Sequence, residues 1–255
     1  MASTERFGYE WNKYNSLDPN YKKQIKNWIH PLTPEDFKAK DILDAACGMG
    51  RNSYWALQWG AKSVKAFDFD ERSVQAAKDN LQDFPNASVE YLDINKIAWE
   101  NQFDLAFSIG VIHHLNNPIL AIQNLYRAVR PGGKLLIWVY SFEGNEWIVK
   151  YVNPIRINLT SRLPLPLVHF ISYFASIPLW LYTRTCKKRT DYFGQLSNFS
   201  LPHINSIVFD QLIPSVANYW SENDLKELLK SAGITKYSLS QPPNKCGWTI
   251  IAEKI

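Results

Sequence analysis

The residues best placed to do chemistry lie in one stretch, Asp41-Ile42-Leu43-Asp44-Ala45-Ala46-Cys47-Gly48-Met49-Gly50-Arg51. A short apolar run ends at Asp44, small residues and two glycines follow, and Arg51 to Trp59 reads as a helix. A strand, a tight loop and a helix N-terminus let backbone N–H groups approach a ligand closely. A dinucleotide fingerprint requires G-x-G-x-x-G. Gly48 and Gly50 supply its first two positions, but the third is Ser53, and an acid stands ahead of the glycines. Asp68 closes a second apolar run, Val64 to Asp68, 24 residues after Asp44. A carboxylate there can accept paired hydrogen bonds from the vicinal hydroxyls of a ribose. Asp70 suits the cap of a helix starting near Glu71.

Further elements must position these groups. Phe7, Trp11 and Tyr14 recur at helical spacing. Residues 89–94, ending in Asp93 and Ile94, read as a third strand. Residues 103–110, ending in Ser108, Ile109 and Gly110, read as a fourth, followed by His113 and His114. Pro118 to Arg130 predicts a helix that Pro131-Gly132-Gly133 ends before a fifth strand, Lys134 to Tyr140. Ser221 and Asp224 form a capping box for a helix that Gly233 stops. Tyr237–Leu239 and Trp248–Ala252 read as antiparallel edge strands.

These motifs, in this order, resemble the class I S-adenosylmethionine-dependent methyltransferases. Within them, the apolar stretch followed by His203 and Phe209-Asp210-Gln211-Leu212-Ile213-Pro214 resembles the small-molecule subgroup with the type-11 methyltransferase domain, in which His203 and Asp210 would face the pocket. The family's acidic-x-Gly-x-Gly-x-Gly motif falls on Asp44, Ala46, Gly48 and Gly50, with Ala46 replacing the first glycine and Cys47 between. The Arg130-Pro131-Gly132-Gly133 turn matches the family's punctuation. The resemblance implies an α/β fold: a Rossmann-like, doubly wound, seven-stranded, mostly parallel sheet with a reversed final strand and a helical cap insertion. It implies S-adenosylmethionine as cofactor and S-adenosylhomocysteine as product. Asp68, with Phe69 beside it, would hold the ribose. Asp93 would accept from the adenine amino group and Ile94 would stack on the base. Ser108, Ile109 and Gly110 would line the methionine half, and Tyr14 would belong to an N-terminal cover. The implied organisation is a cover over 1–40, a cofactor core over 41–140, a cap over 141–220 and a C-terminal completion over 221–255.

Composition agrees with a globular enzyme: 255 residues, 46% hydrophobic and 20% charged, with a net charge of +4. Residues 151–255 carry 11 Lys/Arg against 6 Asp/Glu, too small an excess to assign nucleic-acid binding. Three scattered cysteines support neither a disulfide framework nor a metal site. With no apolar signal region at the start, a reducing, cytoplasmic setting is expected.

The insertion holds a strongly apolar stretch, Leu163 to Tyr182, long enough to span a bilayer. Pro164, Pro166 and Pro178 argue against a clean spanning helix. Arg156 and Arg162 precede it, and Arg184, Lys187, Lys188 and Arg189 follow. Two readings stand, a cap roofing the site and an interfacial segment touching a membrane. The cap is adopted, because a sulfonium needs shelter from water.

Methyl transfer from a sulfonium is an in-line displacement that depends on positioning. A hydroxyl acceptor also needs a general base, for which His113, His114 and His203 are the candidates. No metal is expected. The chain has no Asn/Asp-Pro-Pro-aromatic tetrapeptide, no Pro-Cys nucleophile and no room for an appended RNA-binding module. The expected partner is therefore a small-molecule acceptor, a sugar or secondary metabolite methylated at oxygen, with no nucleic acid. One alternative is a membrane-surface methyltransferase of a quinone or lipid, touching the membrane through 163–189. Another is a non-catalytic protein that binds S-adenosylmethionine or a dinucleotide. A homodimer is the assembly left open.

Overall fold

The computed structural model describes residues 3–186 and 191–255. Two helices, α1 (Ser3–Lys13) and α2 (Tyr21–Ile29), lead into an alternating βα run. It consists of β1 (Asp41–Ala45), α3 (Arg51–Gln58), β2 (Ser63–Asp68), α4 (Glu71–Leu81), β3 (Ala87–Tyr91), β4 (Phe103–Ile109), α5 (Pro118–Ala128) and β5 (Val129–Tyr140). The insertion folds as α6 (Asn153–Asn158), α7 (Leu165–Thr185), α8 (Asp191–Leu196) and α9 (Leu201–Leu212). Then α10 (Glu222–Ser231), β6 (Tyr237–Ser240) and β7 (Gly247–Glu253) complete the sheet.

The seven strands are ordered β3-β2-β1-β4-β5-β7-β6. β1 to β5 run parallel, and β7 is antiparallel to both β5 and β6. The expected doubly wound sheet with a reversed final strand is the observed one, although β7 lies inside the sheet rather than at its edge. Because side chains alternate along a strand, each strand feeds two cores. Leu43, Phe67, Ala106, Leu135 and Ile137 face α5 and α10. Ile42, Ala66, Leu105, Phe107 and Leu136 face α2 and α3.

Local chemistry sets the element ends. Asp70 caps α4 by accepting from the Arg72 and Ser73 backbone N–H groups. The Ser221/Asp224 capping box opens α10. Gly50 caps α3 at φ 80°, and a Cβ there would come within 3.1 Å of Ala77 Cβ, so the glycine lets α3 pack tightly on α4. The Arg-Pro-Gly-Gly segment differs from expectation: β5 already begins at Val129, and the register with β4 shifts between Phe103 and Leu105. The strand absorbs the turn as a bulge.

The prolines of the insertion also behave differently than expected. α7 runs unbroken for 21 residues with Pro178 inside it. Pro166 occupies the first turn, where its missing N–H costs nothing, and Pro178 removes one interior helix bond. The helix is held from the side instead. Ser172 and Ser176 hydroxyls both donate to Asn205 Oδ1 on α9, at 2.8 and 2.7 Å, and Asn205 Nδ2 donates to the Tyr14 hydroxyl at 2.9 Å. The outer row Leu167, Phe170, Phe174, Ile177 and Leu181 faces solvent. By length and composition α7 could cross a membrane, and 22% of its most apolar window is buried in the protein. Of the basic flank, Arg184 folds back, donating to the Phe199 carbonyl and lying over the Trp180 ring. Lys187, Lys188 and Arg189 lie outside the described residues.

Candidate functional site

Strand order reverses direction of growth between β1 and β4, and at that switch point the strand ends of a doubly wound sheet leave a crevice. Here it is a cavity of 1010 Å³. That is at the upper end of the ~300–1,000 Å³ usual for ligand pockets. Two sets of elements wall it. The strand ends contribute Ala46, Cys47, Gly48, Asp68, Phe69, Asp93, Ile94, Ile109, Gly110 and His114. The N-terminal helices and the insertion close the other side with Glu10, Trp11, Trp28, His203, Asp210 and Tyr219. The cap reading of the insertion agrees with this, since Ala175 and Leu179 of α7 also reach the wall.

On the strand side the polar groups suit a nucleoside. Asp68 Oδ2 accepts from the Gly48 N–H at 2.9 Å and Oδ1 from the Asp70 N–H at 3.1 Å, which straps the glycine loop to β2. Each oxygen keeps a further lone pair for a ribose diol. Burial pushes the Asp68 carboxyl up to about 6. Gly110, at φ 80°, has nothing within 4 Å of the place a Cβ would take, so the loop after β4 leaves the cavity open. Ala46, standing in for a glycine, takes a left-handed φ of 57°. Asp93 turns its carboxylate inward, Oδ1 accepting from the Asn95 backbone and side-chain nitrogens at 2.9 and 3.1 Å. Asn95 Oδ1 is buried without a partner on the cavity wall. An orphaned acceptor beside Ile94 is what an adenine amino group would satisfy. Sequence reasoning missed Asn95; the only signal was its place two residues after Asp93, which reads as a turn.

Several expected site residues are elsewhere. Asp44 is fully buried behind the loop, accepting from the Ser53 hydroxyl at 2.6 Å, and burial pushes its carboxyl up to about 7. Gly50 serves packing of α3, and Ser108 donates to the Ala45 carbonyl at 3.1 Å. Tyr14 has its hydroxyl 2.7 Å from His169 Nε2, beneath the cap. None of the four lines the cavity. Each is a second layer that shapes the wall.

The histidines are equally divided. His113 leaves the wall: it is fully buried, tilted against the Tyr140 ring at 4.0 Å, and neither ring nitrogen has a partner. Burial holds its pKa well below the ordinary value, so it packs as a neutral ring. His114 and His203 do line the cavity, yet burial lowers both to about 4. His114 Nδ1 pairs with the Val216 carbonyl at 2.8 Å, and His203 stacks on Phe199 at 3.9 Å. Imidazoles with so little proton affinity are poor general bases.

Opposite the strands, the Arg51 guanidinium lies 5.0, 5.0 and 5.1 Å from the ring centres of Trp11, Tyr21 and Trp28. Trp11 also covers the loop, its Nε1 3.0 Å from the Cβ position of Gly48. The donor chemistry these residues can hold is that of a nucleoside carrying a charged tail. A family model described as a methyltransferase domain matches residues 43–137. The chain carries a class I S-adenosylmethionine-dependent methyltransferase domain.

The fold around this domain recurs in solved structures. An S-adenosylmethionine-dependent methyltransferase from Aquifex aeolicus is 17% identical with a TM-score of 0.51, covering 93% of this chain and 98% of the other. A Pyrococcus horikoshii protein is 15% identical with a TM-score of 0.58, covering 93% and 92%. Among curated proteins, the tRNA U34 carboxymethyltransferase of Nautilia profundicola is 28% identical over 174 residues, 65% of this chain and 53% of the relative. The enzyme of the same name from Pseudoalteromonas atlantica is 32% identical over 108 residues, 41% of this chain and 33% of the relative. The chain thus spans from a third to about half the length of these relatives.

These relatives correct the expected acceptor. Their names describe group transfer to tRNA, against the small-molecule acceptor, its lipid alternative and the exclusion of nucleic acid. The absences used to exclude nucleic acid were too narrow a test. The missing tetrapeptide and thiol serve particular nitrogen and carbon positions of bases, and other acceptor atoms need neither. The missing RNA-binding module carries no weight for a chain matching only part of its relatives.

Proposed function

We propose that the protein transfers a methyl-type group from S-adenosylmethionine to a nucleotide of tRNA. The observation that carries this reading is the similarity to curated tRNA U34 carboxymethyltransferases over as much as 68% of the chain. A cavity walled by Trp11, Trp28, Trp138 and Tyr219 supports it, since planar bases stack on aromatic faces.

S-adenosylmethionine, when bound, supplies the electrophilic carbon. The chain's own residues supply the rest. The loop Ala46–Met49 and Asp68 would orient the ribose, and Asn95 and Ile94 the adenine. Trp11 and the α7–α9 cap would exclude water, leaving the acceptor atom in line with the carbon to be transferred. The test is incubation of the full chain with methyl-labelled S-adenosylmethionine, unfractionated tRNA and an acid-soluble metabolite extract. Label in acid-precipitable tRNA is the expected result. Label confined to the acid-soluble fraction would overturn the reading.

A further inference from the structure

Two carboxyl groups on the cap side of the cavity stand outside the donor-holding set assigned above. Glu10, on α1, is 1% exposed and lines the cavity. Its Oε1 accepts from the Ser206 hydroxyl at 2.8 Å, while Oε2 is buried without a partner. Asp210 lies one turn beyond Ser206 on α9, so Ser206 and Asp210 present the same helix face toward α1. Asp210 Oδ2 accepts from the Tyr140 hydroxyl at 3.3 Å, and Gln211 Nε2 donates to that same hydroxyl at 2.9 Å. Asp210 too lines the cavity.

A carboxylate oxygen buried without a donor is costly to leave so. Its neighbours do not explain it. Among the described residues no cation comes within 4.0 Å of either carboxylate, and Arg51, the positive group on the α3 side, stays in its aromatic cage. Glu10 lines the cavity, so what meets this oxygen is carried by a ligand.

We propose that Glu10 and Asp210 form the acid–base pair of this enzyme, the open Oε2 of Glu10 taking the proton of the acceptor's attacking atom. The proposal rests on the transferase reading above. The acceptor's X–H attacks the sulfonium-bound carbon, and the X–C bond forms as the C–S bond breaks. The electron pair of that bond stays on sulfur, which leaves as a neutral thioether. The proton on X passes to Glu10 and goes to solvent when the product departs. No oxidant, metal or further reactant is needed.

The environment suits that task. Burial, then the nearby Asp210, holds the Glu10 carboxyl well above the ordinary range, while Ser206 and Arg51 pull it down. Burial pushes Asp210 up to about 6, against Arg51, Tyr140 and Arg156. The other titratable groups facing the pair are Tyr14, Tyr21 and Tyr219, all neutral near pH 7. A carboxyl raised above its ordinary range is a stronger base than a free one. The histidines of the wall, lowered to about 4, are poorer candidates.

The test uses the full chain, its Glu10→Gln and Asp210→Asn variants, and three readouts. Calorimetry with S-adenosylmethionine should give affinities within about twofold of the wild type for both variants, which also shows that they fold. Turnover of labelled donor with tRNA should fall ~10²–10⁴-fold in Glu10→Gln. In Asp210→Asn the acid limb of the kcat profile should move to lower pH, because a neighbouring negative charge is gone. In the infrared difference spectrum one protonated-carboxyl C=O component should be lost in Glu10→Gln, while those of Asp44 and Asp68 remain. Wild-type turnover in Glu10→Gln, or an unchanged carboxyl spectrum in that variant, would overturn the pair. The lost component and donor binding without labelled acceptor in any fraction would overturn the transferase reading, and the catalytic role with it.

Discussion

At the scale of single residues, the site's character comes from carboxyl groups held where water cannot reach them. Asp68 does two jobs, bracing Gly48 and presenting lone pairs to the cavity. Hydrogen bonds to a charged group are worth ~1.5–3 kcal/mol each. Asp68→Ala should therefore weaken S-adenosylmethionine binding by about 10-fold or more in calorimetry, and unchanged affinity would refute its placement at the ribose. Asn95→Ala should cost less, roughly 2–10-fold, and adenosine alone should show the same ratio if the lost contact is to the base. Asp44 makes a prediction about pH. Its folded pKa is raised from 3.8 to about 7, chiefly by burial, so the folded protein holds its proton more tightly than the unfolded chain. Stability from this group is present below about pH 4 and lost as pH rises through about 7. His114 and His203, lowered to about 4, act in the opposite sense, so the comparison must be between variants. Asp44→Asn should gain on the wild type by a few kcal/mol as pH rises from about 4 to 7, measured by urea unfolding at each pH. A constant gap between the two proteins would show that Asp44 titrates normally.

At the scale of elements, the cap depends on one amide. Asn205 joins α7 through Ser172 and Ser176 to α9, and through its Nδ2 to Tyr14 just beyond α1. Asn205→Ala would remove the bonds between the helices, leaving Ser172, Ser176 and Tyr14 only their local partners, the His169 and Ser172 carbonyls and the His169 ring, at ~1–3 kcal/mol in all. Hydrogen exchange should then speed up in α7 and α9 while β1, β4 and β5 keep their protection. Equal acceleration across the sheet would mean that cap and core unfold together. The outer row of α7 behaves differently, since it touches nothing in the described residues' core. Phe174, 71% exposed, should tolerate Phe174→Lys within about 0.5 kcal/mol.

At the scale of the whole molecule, the cavity is bounded by segments from every part of the chain, so ligand binding should stabilise all of it. S-adenosylmethionine at 100 times its Kd should add ~2.7 kcal/mol. For a domain of this size that raises Tm by roughly 5–10 °C. Loss of the shift in Asp68→Ala would tie it to the donor site.

The core of the fold was legible because it is local. The strand, glycine loop and helix at Asp41–Gln58, the Asp70 cap and the Ser221/Asp224 box are each specified by neighbours within a few residues. Backbone sterics and period-two alternation leave such segments little choice, and from them the sheet and the cofactor class follow. What lay beyond reach was decided by contacts across long stretches of chain. Asp44 and Asp68 look alike as acids ending apolar strands, yet only Asp68 reaches the cavity, because Ser53 draws Asp44 behind the loop. His113 and His114 are adjacent, and the Val216 carbonyl and the Tyr140 ring give them different places. Pro178 argued against a continuous helix, and packing on α9 overrode it. Glu10 and Asp210 stand 200 residues apart, and no spacing rule joins them. The sequence by itself determined fold class and donor, which rest on short-range stereochemistry. Tertiary structure alone decided which polar groups lost their water and which faced the cavity, because burial is a property of the assembled whole.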